Sequence, residues 1–112
     1  MLTGVNPTPA PSADNPFRNW IDEQAPNAAA ACALYDATLL AIKAIPDGTD
    51  PISAAEPVLR AFINGLDDLD GEEFLMDTIR REEAGDVFAD LAQQAGIPSD
   101  ISDKWFDEWR NF

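Results

Sequence analysis

A chain of 112 residues, 46% apolar and 9% aromatic, holds enough for one modest hydrophobic core and too little for a second, and its apolar share suffices to offset the entropy of folding. Seven Lys and Arg stand against 21 Asp and Glu, a formal net charge of -14 that leaves direct nucleic-acid binding close to excluded and disfavours anionic membranes, since both affinities depend on Lys and Arg. With one cysteine, Cys32, an intramolecular disulfide is excluded as well.

Residues 1–15 carry Pro7, Pro9 and Pro11 among small polar residues and read as a disordered arm, with residues 16–112 forming a single acidic helical domain. The first 16 residues lack the basic and apolar regions of a secretory signal, which points to a cytoplasmic protein. Asn15 followed by Pro16 has the pattern of a helix start, and Phe17, Trp20 and Ile21 then lie at i, i+3, i+4, a short amphipathic helix that Pro26 ends. Asn27 is placed to cap a second helix over about residues 28–45, stopped by Pro46-Asp47-Gly48. That helix is Ala-rich and apolar nearly all round, with Asp36, Thr38 and Lys43 its clearly polar positions, so it is expected at the centre of the fold; Asp36 and Lys43 also rule it out as a membrane span.

A third helix is expected to begin near Ser53, to hold Pro57 in its first turn and to end at Gly65. Asp70 and Glu73 have capping-box spacing, and Phe74, Leu75, Ile79, Val87, Phe88, Leu91 and Ala95 continue a helical period to Gly96. This is either one helix over residues 71–95 or two meeting at Gly85 with Asp86 as the second cap. Ile97-Pro98-Ser99 breaks the chain before a last helix from Asp100, with Ile101, Trp105, Trp109 and Phe112 on one face. No segment alternates with period two. The expected architecture is all-α, a compact bundle of about five helices around the Ala-rich one.

Chemistry-bearing motifs are scarce. The chain has no histidine, which removes the commonest general base and metal ligand, and no Gly-rich phosphate loop or paired-cysteine spacing. Cys32 lies inside an alanine run and reads as a small buried hydrophobe. Aligning Gly71 with the invariant glycine of an EF-hand loop places Asp68 and Asp70 well, but puts Leu66 at the first ligand position, Glu73 at an apolar one and Asp77 where a bidentate glutamate belongs. The expectation is therefore a protein that is no enzyme and needs no cofactor or metal.

The distribution of charge says more than its total. From Asp67 to Phe112 there are fourteen acids and four bases, against seven and three over residues 1–66. Glu82, Asp86 and Asp90 fall in one i, i+4 column on a helix, with carboxylates about 6 Å apart from four residues at 1.5 Å rise, a rigid imitation of a phosphate backbone. No Lys or Arg lies between Glu82 and Ser102. Phe106 points about 100° from Trp105 and is the expected exposed anchor, ringed by Asp103, Asp107 and Glu108. The expected partner-binding residues are thus Asp67, Asp68, Asp70, Glu72, Glu73, Asp77, Glu82, Glu83, Asp86 and Asp90 together with Asp103, Phe106, Asp107 and Glu108.

In size, acidity and helicity the chain is similar to phage-encoded anti-CRISPR and anti-restriction DNA mimics and to the acidic immunity proteins that mask nuclease toxins. The resemblance has no residue-level motif. It implies an inhibitor occupying a basic, nucleic-acid-binding surface of another protein, with carboxylates in place of phosphates. The alternative is a protein-interaction or assembly module held by apolar contacts, its acid serving solubility.

Overall fold

The computed structural model describes residues 15–72 and 77–112, the side chain of Glu72 excepted. They form five helices and no strand: α1 (Arg18–Asp22), α2 (Ala28–Lys43), α3 (Pro51–Glu72), α4 (Thr78–Gln94) and α5 (Ser99–Trp109). Of the arm expected over residues 1–15, residues 1–14 lie outside the described residues. None of the described helices is long and apolar enough to cross a membrane.

Asn15 is no part of a loose arm. It is buried, its side-chain oxygen accepts from the Phe17 amide at 2.9 Å, and its Nδ2 donates to the Cys32 carbonyl (2.9 Å) and to Asp36 (3.0 Å), tying the entry of α1 to the middle of α2. This turn delivers Phe17 and Trp20 into the core, stacked on each other at 4.2 Å, with Phe17 also against Tyr35 and Phe62. α1 ends in a Schellman turn: the Ala25 amide reaches the Trp20 carbonyl at 2.9 Å and Gln24 takes a left-handed φ of 58°. Asn27, expected to cap α2, is itself left-handed and makes no cap bond; its Nδ2 donates instead to the Leu69 carbonyl of α3 at 3.1 Å.

α2 contacts α1, α3 and α4 through one face, while its other face, with Leu40, is open to solvent. α3 departs most from expectation. It starts two residues earlier, at Pro51, where Asp50 caps it by accepting from both the amide (3.2 Å) and hydroxyl (2.7 Å) of Ser53. Pro57 therefore sits in its interior; the missing N–H frees only the carbonyl of Ser53, an exposed residue whose carbonyl solvent can satisfy. Gly65 does not end the helix. A Cβ there would lie 2.7 Å from the Leu34 side chain, so this glycine lets α2 and α3 approach, and α3 runs on to Glu72. With Asp70 inside α3, the capping box expected there is not formed.

The break falls instead just before Thr78, where Asp77 caps α4 by accepting from the Arg80 amide at 2.8 Å. Phe74 and Leu75 of the expected period lie outside the described residues. α4 passes unbroken through Gly85, where a Cβ would meet the Phe106 ring at 3.3 Å; Asp86, the alternative cap, is mid-helix. α4 ends as predicted at Gly96, left-handed at φ 86°, with the Ile97 amide on the Ala92 carbonyl. The core gathers Phe17 and Trp20, Leu59, Phe62, Ile63 and Leu66 of α3, and Phe88 and Leu91 of α4. α5 closes it: the expected face of Ile101, Trp105, Trp109 and Phe112 packs against the core, and the packed surface widens to take in Phe106 and the buried Ser102.

Candidate functional site

Buried positions on α4 are Ala84, Val87, Phe88, Leu91 and Ala92, one stripe facing the core. The helical repeat then forces Glu82, Asp86 and Asp90 onto the opposite surface, and all three are exposed. Asp90 accepts from Gln94 one turn on at 2.8 Å; no base pairs with Glu82 or Asp86 among the described residues. Two like-charge neighbours in this column cost the helix about 0.2–0.5 kcal/mol each.

Because α5 returns alongside α4, the column borders a groove of about 530 Å³, with Asp86, Ala89 and Asp90 on one wall and Pro98, Ser99 and Ser102 on the other. A second hollow of about 350 Å³ continues it, sharing Asp86 and Ala89 and adding Asp103 and Asp107 of α5. The structure thus brings acids from two helices to one surface: Glu82, Asp86 and Asp90 in one row, Asp103 and Asp107 in the other. Ser99 and Ser102 belong to this groove and escaped sequence reasoning, since neither charge nor periodicity marks them. Lys104 lies 3.9 Å from Glu108 and the Arg110 Nε 3.7 Å from Asp107, contacts between exposed acids and nearby bases of little strength.

Other expected site residues have structural work instead. The Glu83 carboxylate accepts from the Trp20 indole N–H (3.0 Å) and from Asn19 Nδ2 (3.2 Å), holding α1 against α4. Asp77 is the cap of α4 and pairs with Arg80, which also reaches Glu23. Asp67 accepts from the amide and side chain of Asn111, at 2.9 and 3.1 Å, and so fastens the C-terminal residues to α3. Burial is the main reason the Asp67 carboxyl is pushed above its usual range; Asp68 and Asp70 push the same way, and the Asn111 hydrogen bonds oppose them. Asp68 is exposed and Asp70 half-buried, both within α3, so residues 66–72 of the segment that suggested a calcium loop are helix; no cluster of metal-ligating side chains occurs among the described residues. The Glu72 side chain and Glu73 lie outside the described residues.

Phe106 is not an exposed anchor. Its ring packs 5.5 Å from Phe88 and 5.9 Å from Phe112, over the open side of Gly85, with the Arg110 guanidinium 5.2 Å above it. Trp105 and Trp109 stack at 4.9 Å, half-buried, with Arg60 over Trp109. Cys32 is buried, and burial, reinforced by Asp36, pushes its thiol up, away from the thiolate a nucleophile requires.

One apolar feature was not anticipated. Leu40 on α2 is 71% exposed, and an apolar groove of about 300 Å³ beside it is lined by Leu34, Ala37, Ala41 and Val58, among others. No family model, curated protein or solved structure matches the chain.

Proposed function

We propose that this protein is a non-catalytic binding protein that lays the α4–α5 acidic face against a basic, nucleic-acid-binding surface of another protein and so blocks it. The carboxylates of Glu82, Asp86 and Asp90, with those of Asp103 and Asp107, stand where phosphates would, offering Arg and Lys charge-assisted hydrogen bonds. The observation that supports this reading is the exposed α4 column: three acids at helical spacing, turned away from the core, unopposed by bases among the described residues, at a cost to the helix they sit on. An acid retained at such a cost serves something other than folding. Its partner is a basic protein or complex, in the cytoplasm, and its action needs neither cofactor nor metal.

The test is capture of partners on immobilised protein from a lysate of its native host, eluted first by a salt gradient and then by competing DNA. Charge-dominated binding releases a basic nucleic-acid-binding protein in those fractions. A neutral or acidic partner that resists both eluents would sink the proposal. A second reading, an assembly module with apolar contacts, is favoured by one observation, the exposed surface of α2 around Leu40.

A further inference from the structure

We infer that the outer face of α2 is an interface with a second copy of this chain, formed by antiparallel packing of α2 on α2. This deepens the assembly reading and does not depend on the acidic face.

The exposed positions on α2 include Ala30, Ala33, Ala37, Leu40 and Ala44, the last just past the helix end. Their spacings are 3, 4, 3 and 4, the a/d repeat of a coiled-coil seam, whereas a helix merely facing its own core has a broader stripe. α2 therefore carries two apolar faces, one spent on α1, α3 and α4 and one facing solvent. Leu34 and Ala41 flank the seam on one side and continue into the groove lined by Val58 and Ala61.

Charge selects the occupant and its orientation. The other flank carries Asp36 and Lys43, both exposed and seven residues apart, hence at the same heptad position. In an antiparallel pair like positions meet, so a register that sets Ala37 opposite Leu40 of the second copy also sets Ala33 opposite Ala44, and brings Asp36 beside Lys43 twice over by the two-fold symmetry. A parallel pair would place Asp36 beside Ala41 and Lys43 beyond the end of the partner helix, and leave both charges unanswered. The surface is also the right one for a chain of net charge -14 to show to itself: α2 has one acid and one base, while fourteen of the 21 acids lie from Asp67 onward. Alanines at the seam allow close approach, and Leu40 supplies the knob.

Sedimentation equilibrium on the full chain tests this, at about 0.15 M salt and again at several-fold higher salt. The expected result is a dimer that tightens with added salt as the overall repulsion is screened, the opposite of the acidic face's response. Leu40→Glu, at an exposed position, keeps its helical circular dichroism and becomes monomeric. Lys43→Glu turns both cross-pairs repulsive and weakens the dimer about tenfold, whereas Lys43→Ala weakens it only about two- to threefold. A chain that stays monomeric at high concentration in both salts, or a dimer indifferent to Leu40→Glu, overturns the interface. Equal dimerisation of Lys43→Glu and Lys43→Ala overturns the antiparallel register.

Discussion

Replacing Glu83 by alanine separates an acid that holds the fold from neighbours that do not. Its carboxylate accepts from the Trp20 indole N–H at 3.0 Å, and Trp20 is fully buried, so its truncation strands a buried donor. Such a loss costs about 1–3 kcal/mol, and the hydrogen bond to Asn19, half-exposed and open to water, adds about 0.5–1 kcal/mol. We expect Glu83→Ala to destabilise by about 2–3 kcal/mol, read in urea unfolding as a midpoint about 1 M lower. Glu83→Gln, which retains one acceptor for the indole, should lose about 1 kcal/mol. Glu82→Gln, one residue away but exposed, should stay within about 0.5 kcal/mol and on the stabilising side, because it relieves repulsion with Asp86. In the background of Trp20→Phe, which has no N–H, most of the Glu83→Ala cost should vanish. Equal costs at positions 82 and 83, or a Glu83→Ala cost unchanged by Trp20→Phe, would refute the assignment of Glu83 to the fold.

Three further outcomes follow from the same geometry. The triple variant Glu82→Gln, Asp86→Asn, Asp90→Asn removes two like-charge pairs and should be more stable than the parent by about 0.4–1 kcal/mol in thermal melts; a loss of stability would mean the column serves the fold. Gln24→Gly relieves a left-handed non-glycine at the end of α1 and should stabilise by about 1 kcal/mol in the same assay. Stability should also rise on mild acidification. Asp67 binds its proton more tightly folded than unfolded, because burial raises its pKa, so it adds stability as pH falls through its raised value toward the ordinary carboxylate range of about 4. Asp50, lowered by the Ser53 hydrogen bonds, acts oppositely: its contribution is present above that range and is lost as pH falls through its lowered value. The melting temperature should therefore climb as the pH falls from 7 toward the ordinary carboxylate range of about 4 and drop in stronger acid, with Asp67→Asn flattening the climb.

How far the sequence was legible depended on whether a residue's role is local. Aromatic spacing, the Pro-Asp-Gly turn and Gly96 act through their own backbone or helix face, and α1, α2, the end of α4 and α5 came out near their expected places. Gly65 reads as a helix end and Gly85 leaves a break or a continuous helix equally open, because glycine weakens a helix locally; their reason is tertiary, the room each gives to Leu34 or Phe106 across an interface. Pro57 misplaced the start of α3 for a related cause, since its interior position is tolerated only because Ser53 faces water. The acid column was legible from i, i+4 spacing. Glu83 was not separable from it, because nothing in one dimension says that Trp20, sixty-three residues earlier, ends beside it. The seam on α2 did carry a readable signal, the 3-4 spacing of Ala30, Ala33, Ala37, Leu40 and Ala44, hidden by a helix apolar on nearly every side.

The central claim is that the exposed α4 column makes the contact with a basic partner. Its most direct test is parallel capture from one lysate with the parent and with the Glu82→Gln, Asp86→Asn, Asp90→Asn variant, both verified as folded. The account predicts that the variant loses the salt- and DNA-elutable partner while gaining stability; retention of that partner at parental affinity would contradict it.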